Sequence, residues 1–193
     1  VEPAVPAEVP QMRDGKALID AARKLAVEDR VKSWFALLST ILCVGVLIAV
    51  AAIAPYWPVR LTASLVAGLT IVRLFIVYHD FMHGALLRGS KVARAIMYTY
   101  GIWVMTPPRV WKETHNYHHA NTAKIVGSNV GSYVTVTTAI WATMKPKERL
   151  MYKMIRHPLT ILFGYFTIFM LGMCVSPFMR SPKKNWDSLL ALL

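Results

Sequence analysis

The chain has 193 residues, 55% of them hydrophobic, with a mean hydropathy of +0.43 and a formal net charge of +12. So apolar a composition argues against an ordinary soluble domain and favours a membrane protein. The two cysteines, Cys43 and Cys174, both lie inside apolar runs, which argues against a disulfide framework or a cysteine metal site.

Residues 1–33 combine prolines with charges of both signs and contain no apolar core of the kind a secretory signal has. We expect them to form a cytoplasmic N-terminal segment, followed by one membrane domain over residues 34–193. Because the chain starts at Val1 and stops at Leu193 inside an apolar run, we expect that membrane domain to be incomplete at its C-terminal end.

Two apolar runs follow this segment. Trp34–Ala54 is uncharged throughout, and its 21 residues would span about 30 Å as a helix, enough to cross a bilayer. A short turn containing Pro55 and Pro58 comes next, and Leu61–Tyr78 is the second run. The pattern predicts a transmembrane helical hairpin.

The rest of the chain also reads as helical. Val92–Thr106 is short for a crossing and predicts a re-entrant or interfacial segment. Met144–Arg156 mixes apolar and basic residues, which suits a helix lying in the headgroup plane, although an ordinary solvated helix would also fit. Leu159–Met179 predicts a third span, and Asp187–Leu193 the opening of a fourth. The predicted fold class is therefore an all-α integral membrane protein.

The basic residues indicate its orientation. Six Lys or Arg residues precede Trp34, one lies in Pro55–Arg60, eleven lie between His79 and His157, and three lie in Arg180–Trp186. The positive-inside rule places the N-terminus and the region from His79 to His157 in the cytoplasm, and Pro55–Arg60 outside. The same topology puts Arg180–Trp186 outside, against the rule. A charge distribution that follows topology does not predict nucleic-acid binding.

Five of the six histidines fall into two groups that are predicted on the same side of the membrane. Residues three or four apart share a helix face, so each group can point its imidazoles at one site, while adjacent histidines point about 100° apart. Imidazole suits iron, zinc, copper and nickel, and a single zinc needs only three or four ligands. Five ligands favour a two-metal site at His79, His83, His115, His118 and His119.

Polar neighbours of the histidines are candidates for supporting roles. Asp80 is placed to accept an N–H from the adjacent His79 and fix its tautomer, although it could equally be a solvated carboxylate at a helix end. Asn121 and Thr122 are candidates for similar contacts. We expect Trp111 to anchor at the membrane interface rather than to bind substrate.

These groups resemble the histidine boxes of the membrane fatty acid desaturases, most closely of the acyl-lipid type. The segment from His79 to Gly84 is similar to the first box of that family, and the segment from Trp111 to Thr122 is similar to the second box with its flanks. The stearoyl-type acyl-CoA branch has a longer first box and fits less well. The resemblance extends from about Trp34 onward.

The resemblance implies an O2-dependent oxidoreductase that introduces a double bond into an acyl lipid. It implies two iron ions held by histidines from three boxes, O2 as co-substrate, and two electrons from a donor such as ferredoxin or cytochrome b5. A third box is not found after His119, so we expect the 193-residue chain by itself to be inactive.

Two alternatives remain from the sequence. A carotenoid ketolase or hydroxylase shares the histidine boxes and the membrane setting. A non-catalytic metal-binding membrane protein or transporter would be expected to carry ionisable residues at the middle of its spans, whereas here the histidines lie at span ends.

Overall fold

The computed structural model describes residues 15–23, 25–122, 124 and 135–193. Within these ranges the regular structure is helical throughout, as predicted. The elements are α1 (Gly15–Arg23), α2 (Arg30–Ile53), α3 (Trp57–Met82), α4 (Lys91–Trp103), α5 (Pro108–Ala120), α6 (Thr138–Thr143), α7 (Pro146–Ile155), α8 (Pro158–Leu162), a π-helical segment (Tyr165–Val175), α9 (Ser176–Arg180) and α10 (Trp186–Leu190).

The predicted hairpin is confirmed in α2 and α3, which pack along each other. Their 24 and 26 residues correspond to about 36 and 39 Å, and the mean hydropathies of their most apolar stretches are 2.7 and 1.9. The carboxylate of Asp29 accepts two backbone N–H groups in the first turn of α2, and the Arg60 guanidinium donates to the carbonyls of Ala51 and Ala52 in its last turn. Both ends of α2 are thereby capped.

Tyr78 joins α3 to α4 and to the loop that follows α4. Its side chain is fully buried, and its hydroxyl donates to the backbone oxygen of Thr106 at 3.0 Å. A Cβ on Gly101 of α4 would lie 2.9 Å from that oxygen and from the Tyr78 hydroxyl, so only glycine fits here without a shift. Tyr100 makes a second link, since its hydroxyl donates to the carbonyl of Ile71 at 2.8 Å.

The loop between α3 and α4 is held by the N-terminal segment. Gly84 and Gly89 adopt positive φ angles of 72° and 79°, and buried Leu87 adopts one of 50°. The Leu87 N–H donates to the carboxylate of Glu28, and Arg30 donates to the Arg88 carbonyl at 3.2 Å. These two contacts reach across almost 60 residues of sequence and fix the chain just after His83.

The predicted third span, Leu159–Met179, is not one straight α-helix. The structure divides it into α8, the π-helical segment and α9, and only α2 and α3 among the described helices are long and apolar enough to cross a membrane. The physical reason lies partly in Pro177, which has no N–H to donate to the carbonyl of Met173 one turn earlier. The Ser188 hydroxyl donates to that carbonyl instead, at 3.3 Å.

The predicted connection Arg180–Trp186 and the start of the predicted fourth span pack against the rest of the protein. Asp187 and Ser188 are buried inside the protein, and α10 ends at Leu190. Lys184 forms an ion pair with Glu113 of α5 at 2.8 Å, and one carboxylate oxygen of Asp187 accepts the Arg109 N–H at the start of α5 at 3.0 Å. The connection therefore packs on the helix that carries the second histidine group.

The helix predicted at Met144–Arg156 is α7, and it is exposed along its whole length. The Arg149 guanidinium fastens α6 to α7 by donating to the carbonyls of Trp141 and Ala142 at 3.1 and 2.9 Å. Four apolar side chains of α7 are solvent-exposed: Leu150, Met151, Met154 and Ile155.

Candidate metal centre

The two histidine groups meet at one end of the hairpin. His79 lies in the last turn of α3 and His83 caps that helix, while α5 supplies His115 and His119 from one face. One ligand nitrogen from each of these four imidazoles lies within 4.8 Å of the other three. Two residue pairs with i, i+4 spacing on facing helices thus converge on one point.

The imidazoles are in direct contact. The Nε2 atoms of His115 and His119 are 3.0 Å apart, and the ring centres of His79 and His83 are 4.5 Å apart. Between the helices, the ring centres of His83 and His119 are separated by 4.8 Å, as are those of His79 and His115. Nitrogen lone pairs at these distances repel one another, and a cation bound between them would relieve that repulsion.

His118, the fifth predicted ligand, is not part of this group of four. It is half-buried, and its ring centre lies 5.9 Å from that of His115 and 5.7 Å from that of His119. One residue corresponds to about 100° around a helix, so His118 points away from the direction that His119 takes.

The three candidate supporting residues differ in what they contact. Asp80 Oδ1 lies 2.8 Å from His79 Nδ1, the geometry of a hydrogen bond to the nitrogen that leaves Nε2 toward the cluster. The Asn121 side chain instead donates to the Tyr117 carbonyl, and Thr122 donates to the carbonyls of His118 and His119. Both therefore contact the backbone at the C-terminal end of α5 rather than an imidazole.

We expected Trp111 at the membrane interface, whereas the structure buries it inside the protein. It is 6% exposed, and its indole stacks on the His115 ring with centres 4.3 Å apart and planes 23° apart. Its other face is packed edge-on against Tyr78 at 5.3 Å. The signal available in the sequence was its position four residues before His115, which puts both side chains on the same helix face.

Burial and the neighbouring imidazoles lower the pKa of two histidines of the cluster. Burial, followed by repulsion from His79 and His119, lowers the pKa of His115 to about 4. Burial is also the main cause that lowers the pKa of His83, with the same two neighbours adding to it. Neutral imidazole is the form that binds metal, so the cluster is prepared for metal binding at neutral pH.

The donor set fits a transition metal. All four grouped donors are imidazole nitrogens, which suit iron, zinc, copper and nickel and do not favour the hard cations magnesium and calcium. His83 and His119 are exposed, while His79 and His115 are half-buried. The site is therefore open on one side to solvent and backed by the core on the other.

An apolar cavity of about 520 Å³ lies on the core side of the cluster. Phe75 lines it, one helical turn before His79, and its ring packs edge-on against Trp111 at 6.2 Å. Phe75 thus connects the cavity wall to Trp111, which stacks on His115. The remaining lining residues are Ile71, Val72, Tyr100, Trp103, Val104, Thr106, Tyr165 and Phe169.

Comparison with known proteins finds similarity to fatty acid desaturases. The sequence model of the fatty acid desaturase family matches residues 55–190, which include all five clustered histidines. The chain is 29% identical over 154 residues to an sn-1 acyl-lipid omega-3 desaturase (ferredoxin) of Nostoc sp. (strain 36), covering 80% of this chain and 39% of that protein.

Two further relatives are similar over shorter stretches. A Delta(12) fatty acid dehydrogenase of Crepis alpina is 28% identical over 132 residues, covering 68% of this chain and 31% of the relative. A fatty acid desaturase of Bacillus subtilis (strain 168) is 22% identical over 112 residues, covering 58% and 30%. The chain thus spans less than half the length of each relative.

No solved structure gives a significant match. The family match covers most of the chain and contains both of its histidine groups. The chain belongs to the fatty acid desaturase family.

Proposed function

We propose that the chain forms the histidine-rich metal centre of an integral membrane desaturase that acts on the acyl chain of a lipid. In that reaction two neighbouring methylene groups each lose a hydrogen and a double bond forms between the two carbons. O2, two electrons and two protons are consumed, and two waters are released. The observation that carries the proposal is the convergence of four imidazole nitrogens within 4.8 Å in a chain of this family.

Iron is the metal that we assign to the centre, as a pair of ions. His79, His83, His115 and His119 would hold the first ion, and His118, which points to another side of α5, would contribute to the second. Asp80 would fix the tautomer of His79 through its 2.8 Å hydrogen bond. Bound iron would supply the oxidising power that side chains lack for breaking an unactivated C–H bond.

Membrane placement follows from α2 and α3. Only 17% and 28% of the residues in their most apolar stretches are buried within the protein, so most of these side chains need an apolar surrounding. We place the hairpin across the bilayer, with residues 1–33 and the histidines on the cytoplasmic side and residues 34–193 as the membrane domain. The exposed apolar residues of α7 would then rest in the headgroup region, with its basic residues toward lipid phosphates.

The apolar cavity beside Phe75 is the proposed site of the acyl chain. Its volume of about 520 Å³ falls in the range of ligand pockets, and its lining is almost entirely apolar. A chain lying there would contact Phe75, whose ring packs on Trp111 beside His115. Because water is disfavoured in such a cavity, the reacting carbons would be shielded from solvent.

The proposed electron donor and the proposed substrate class are based on the names of the relatives. All three are named for fatty acid chemistry, which favours an acyl lipid over a carotenoid as the substrate. The Nostoc relative is named for ferredoxin, so a ferredoxin, or cytochrome b5 as the sequence resemblance also allows, is the proposed electron donor.

Because the 193-residue chain by itself is expected to be inactive, the test uses a longer protein that contains this chain and a third histidine box, reconstituted in lipid nanodiscs with iron, O2 and a reductant. The acyl chains are then analysed by mass spectrometry. We expect a product that is lighter by two hydrogen atoms, and its loss in His115→Ala. A carotenoid product from a mixed lipid and carotenoid supply would contradict the proposal, as would turnover that survives removal of iron.

A further inference from the structure

A second cavity, of about 500 Å³, shares no lining residue with the apolar one. His83 forms part of its wall. Three basic residues from three different elements also line it: Arg88 from the loop after α3, Arg94 from α4 and Lys112 from α5. Folding therefore brings three cations and an exposed ligand imidazole together around one opening.

These three cations are not neutralised within the part of the chain that the structure describes. All three are exposed, and their side chains take part in none of the ion pairs found there. The acidic residues nearby have other contacts: Asp80 lies against His79, and Glu113 pairs with Lys184. Glu28 and Asp29 line a neighbouring cavity with Arg88, but Glu28 accepts the Leu87 N–H and Asp29 pairs with Lys32. Positive-inside topology accounts for basic residues on this side, but not for three of them surrounding His83.

We propose that this basic opening is the docking surface for an acidic electron-transfer protein, which would deliver electrons to the centre by way of His83. The inference rests on the proposed function, because only a redox centre needs such a partner. Carboxylates on the partner would face Arg88, Arg94 and Lys112 and set its orientation. His83 is exposed, so a docked partner would touch a ligand of the metal directly.

An exposed basic surface of this kind suits a partner protein that binds repeatedly and briefly. Each turnover consumes two electrons, so a one-electron carrier must dock and leave twice. Exposed charges raise the association rate while adding little to the affinity, and interfaces of electron-transfer proteins are small and weak for this reason. Three unpaired cations on a solvent-open rim meet that requirement.

A lipid phosphate is the competing occupant, and the position of the cavity disfavours it. The apolar cavity lies on the Phe75 side of the cluster and the basic cavity on the His83 side. A phosphate held beside His83 would bring the first carbons of its lipid, rather than the middle of an acyl chain, to the imidazoles.

The experiment uses the same longer, iron-loaded protein in nanodiscs and a plant-type [2Fe–2S] ferredoxin as the probe. Desaturation is measured against ferredoxin concentration, and in parallel with dithionite as a small reductant that needs no docking surface. The variants are Arg94→Glu and Lys112→Glu. Lys183→Glu is the matched control, because it makes the same charge change at an exposed residue outside the cavity.

We expect each cavity variant to raise the KM for ferredoxin by about tenfold relative to Lys183→Glu, and to lower the ratio of ferredoxin-driven to dithionite-driven rate. The salt dependence of the ferredoxin reaction should weaken as well. An unchanged KM would overturn the proposal. So would loss of binding to phosphatidylglycerol vesicles with the ferredoxin KM intact, which would assign the cavity to a lipid headgroup.

Failure of the proposed function would look different. If the wild-type protein gives no product even with dithionite, the desaturase proposal fails. Ferredoxin binding to the immobilised protein, measured for the wild type and the three variants, would then still decide whether this surface docks an acidic partner.

Discussion

The indole of Trp111 lies flat against the imidazole of His115, with ring centres 4.3 Å apart. Because Trp111 is buried and is itself packed on Tyr78, the stack connects a metal-site histidine to the hydroxyl that joins α3 to the Thr106 carbonyl. The position of His115 is thus set by its contact with the core. The first prediction tests that connection.

Trp111→Ala should weaken both the fold and the metal site. Removing a buried tryptophan costs about 3–5 kcal/mol of folding free energy, and loss of a partner that orients a ligand costs about 10- to 100-fold in metal affinity. Co²⁺ titration and thermal unfolding in detergent measure the two effects. Trp57→Ala is the control, because Trp57 is 72% exposed at the far end of α3. Equal metal affinity in the two variants would contradict the role assigned to Trp111.

Replacing His118 should have a different effect from replacing His115. His115 belongs to the group of four, whereas His118 lies outside it. We therefore expect His115→Ala to disrupt the grouped site, and His118→Ala to retain iron there while losing the second ion. Both variants should lose product formation while remaining in the membrane. Metal analysis of the purified proteins gives the ratio of iron to protein, and two irons retained in His118→Ala would remove it from the ligand set.

Acidification should destabilise the metal-free protein. The pKa of His115 is lowered to about 4 in the fold, from an ordinary value near 6.5. Since the folded state favours the neutral ring, the stabilisation is present above pH 6.5 and is lost as the pH falls from 6.5 toward 4. Unfolding midpoints recorded across this range should fall for the wild type and fall less steeply for His115→Ala. Parallel curves for the two proteins would contradict the shifted pKa.

The affinity of the protein for metal should also decrease as the pH is lowered. Protons compete with metal for the imidazole nitrogens, so Co²⁺ affinity should decrease as the pH is lowered below neutrality. Absorption titrations at several pH values measure this directly. An affinity that does not change between pH 7 and pH 5 would argue against imidazole ligands.

Gly101→Ala should disturb the packing of α4 on α3. A methyl group at this position would lie 2.9 Å from both the Thr106 oxygen and the Tyr78 hydroxyl, and one of these is backbone that cannot turn aside. Overpacking of this kind costs about 1–3 kcal/mol. Gly68→Ala in α3 is the control, since nothing lies within 4 Å of its added methyl group. Denaturation of both variants in the same detergent should separate them, and equal stability would contradict the close contact.

Local pattern was sufficient to predict the hairpin and the two histidine groups. Apolar run length identifies α2 and α3, and the i, i+4 spacing of His79 with His83 predicts that both lie on one helix face. The meeting of α3 and α5 could be expected only from the shared chemistry of their histidines. Why His118 falls outside the group depends on the rotation of α5, which spacing does not specify.

The features that the sequence did not reveal are long-range contacts. Asp187 reads locally as the start of an apolar run, yet its carboxylate caps α5 from 78 residues away. The division of Leu159–Met179 into three helical segments depends on a contact from outside it. The Ser188 hydroxyl donates to the Met173 carbonyl, to which Pro177 has no N–H to donate. Trp111 resembles an interface tryptophan because its burial is provided by Tyr78 and Phe75 from another helix.

X-ray absorption at the iron edge of the purified, iron-loaded protein tests the central claim most directly. The account predicts a first shell of nitrogen and oxygen neighbours with the outer-shell scattering of several imidazole rings, and a loss of that scattering in His115→Ala. Sulfur neighbours, or a spectrum that is the same in the wild type and in His115→Ala, would contradict a metal centre built from these histidines.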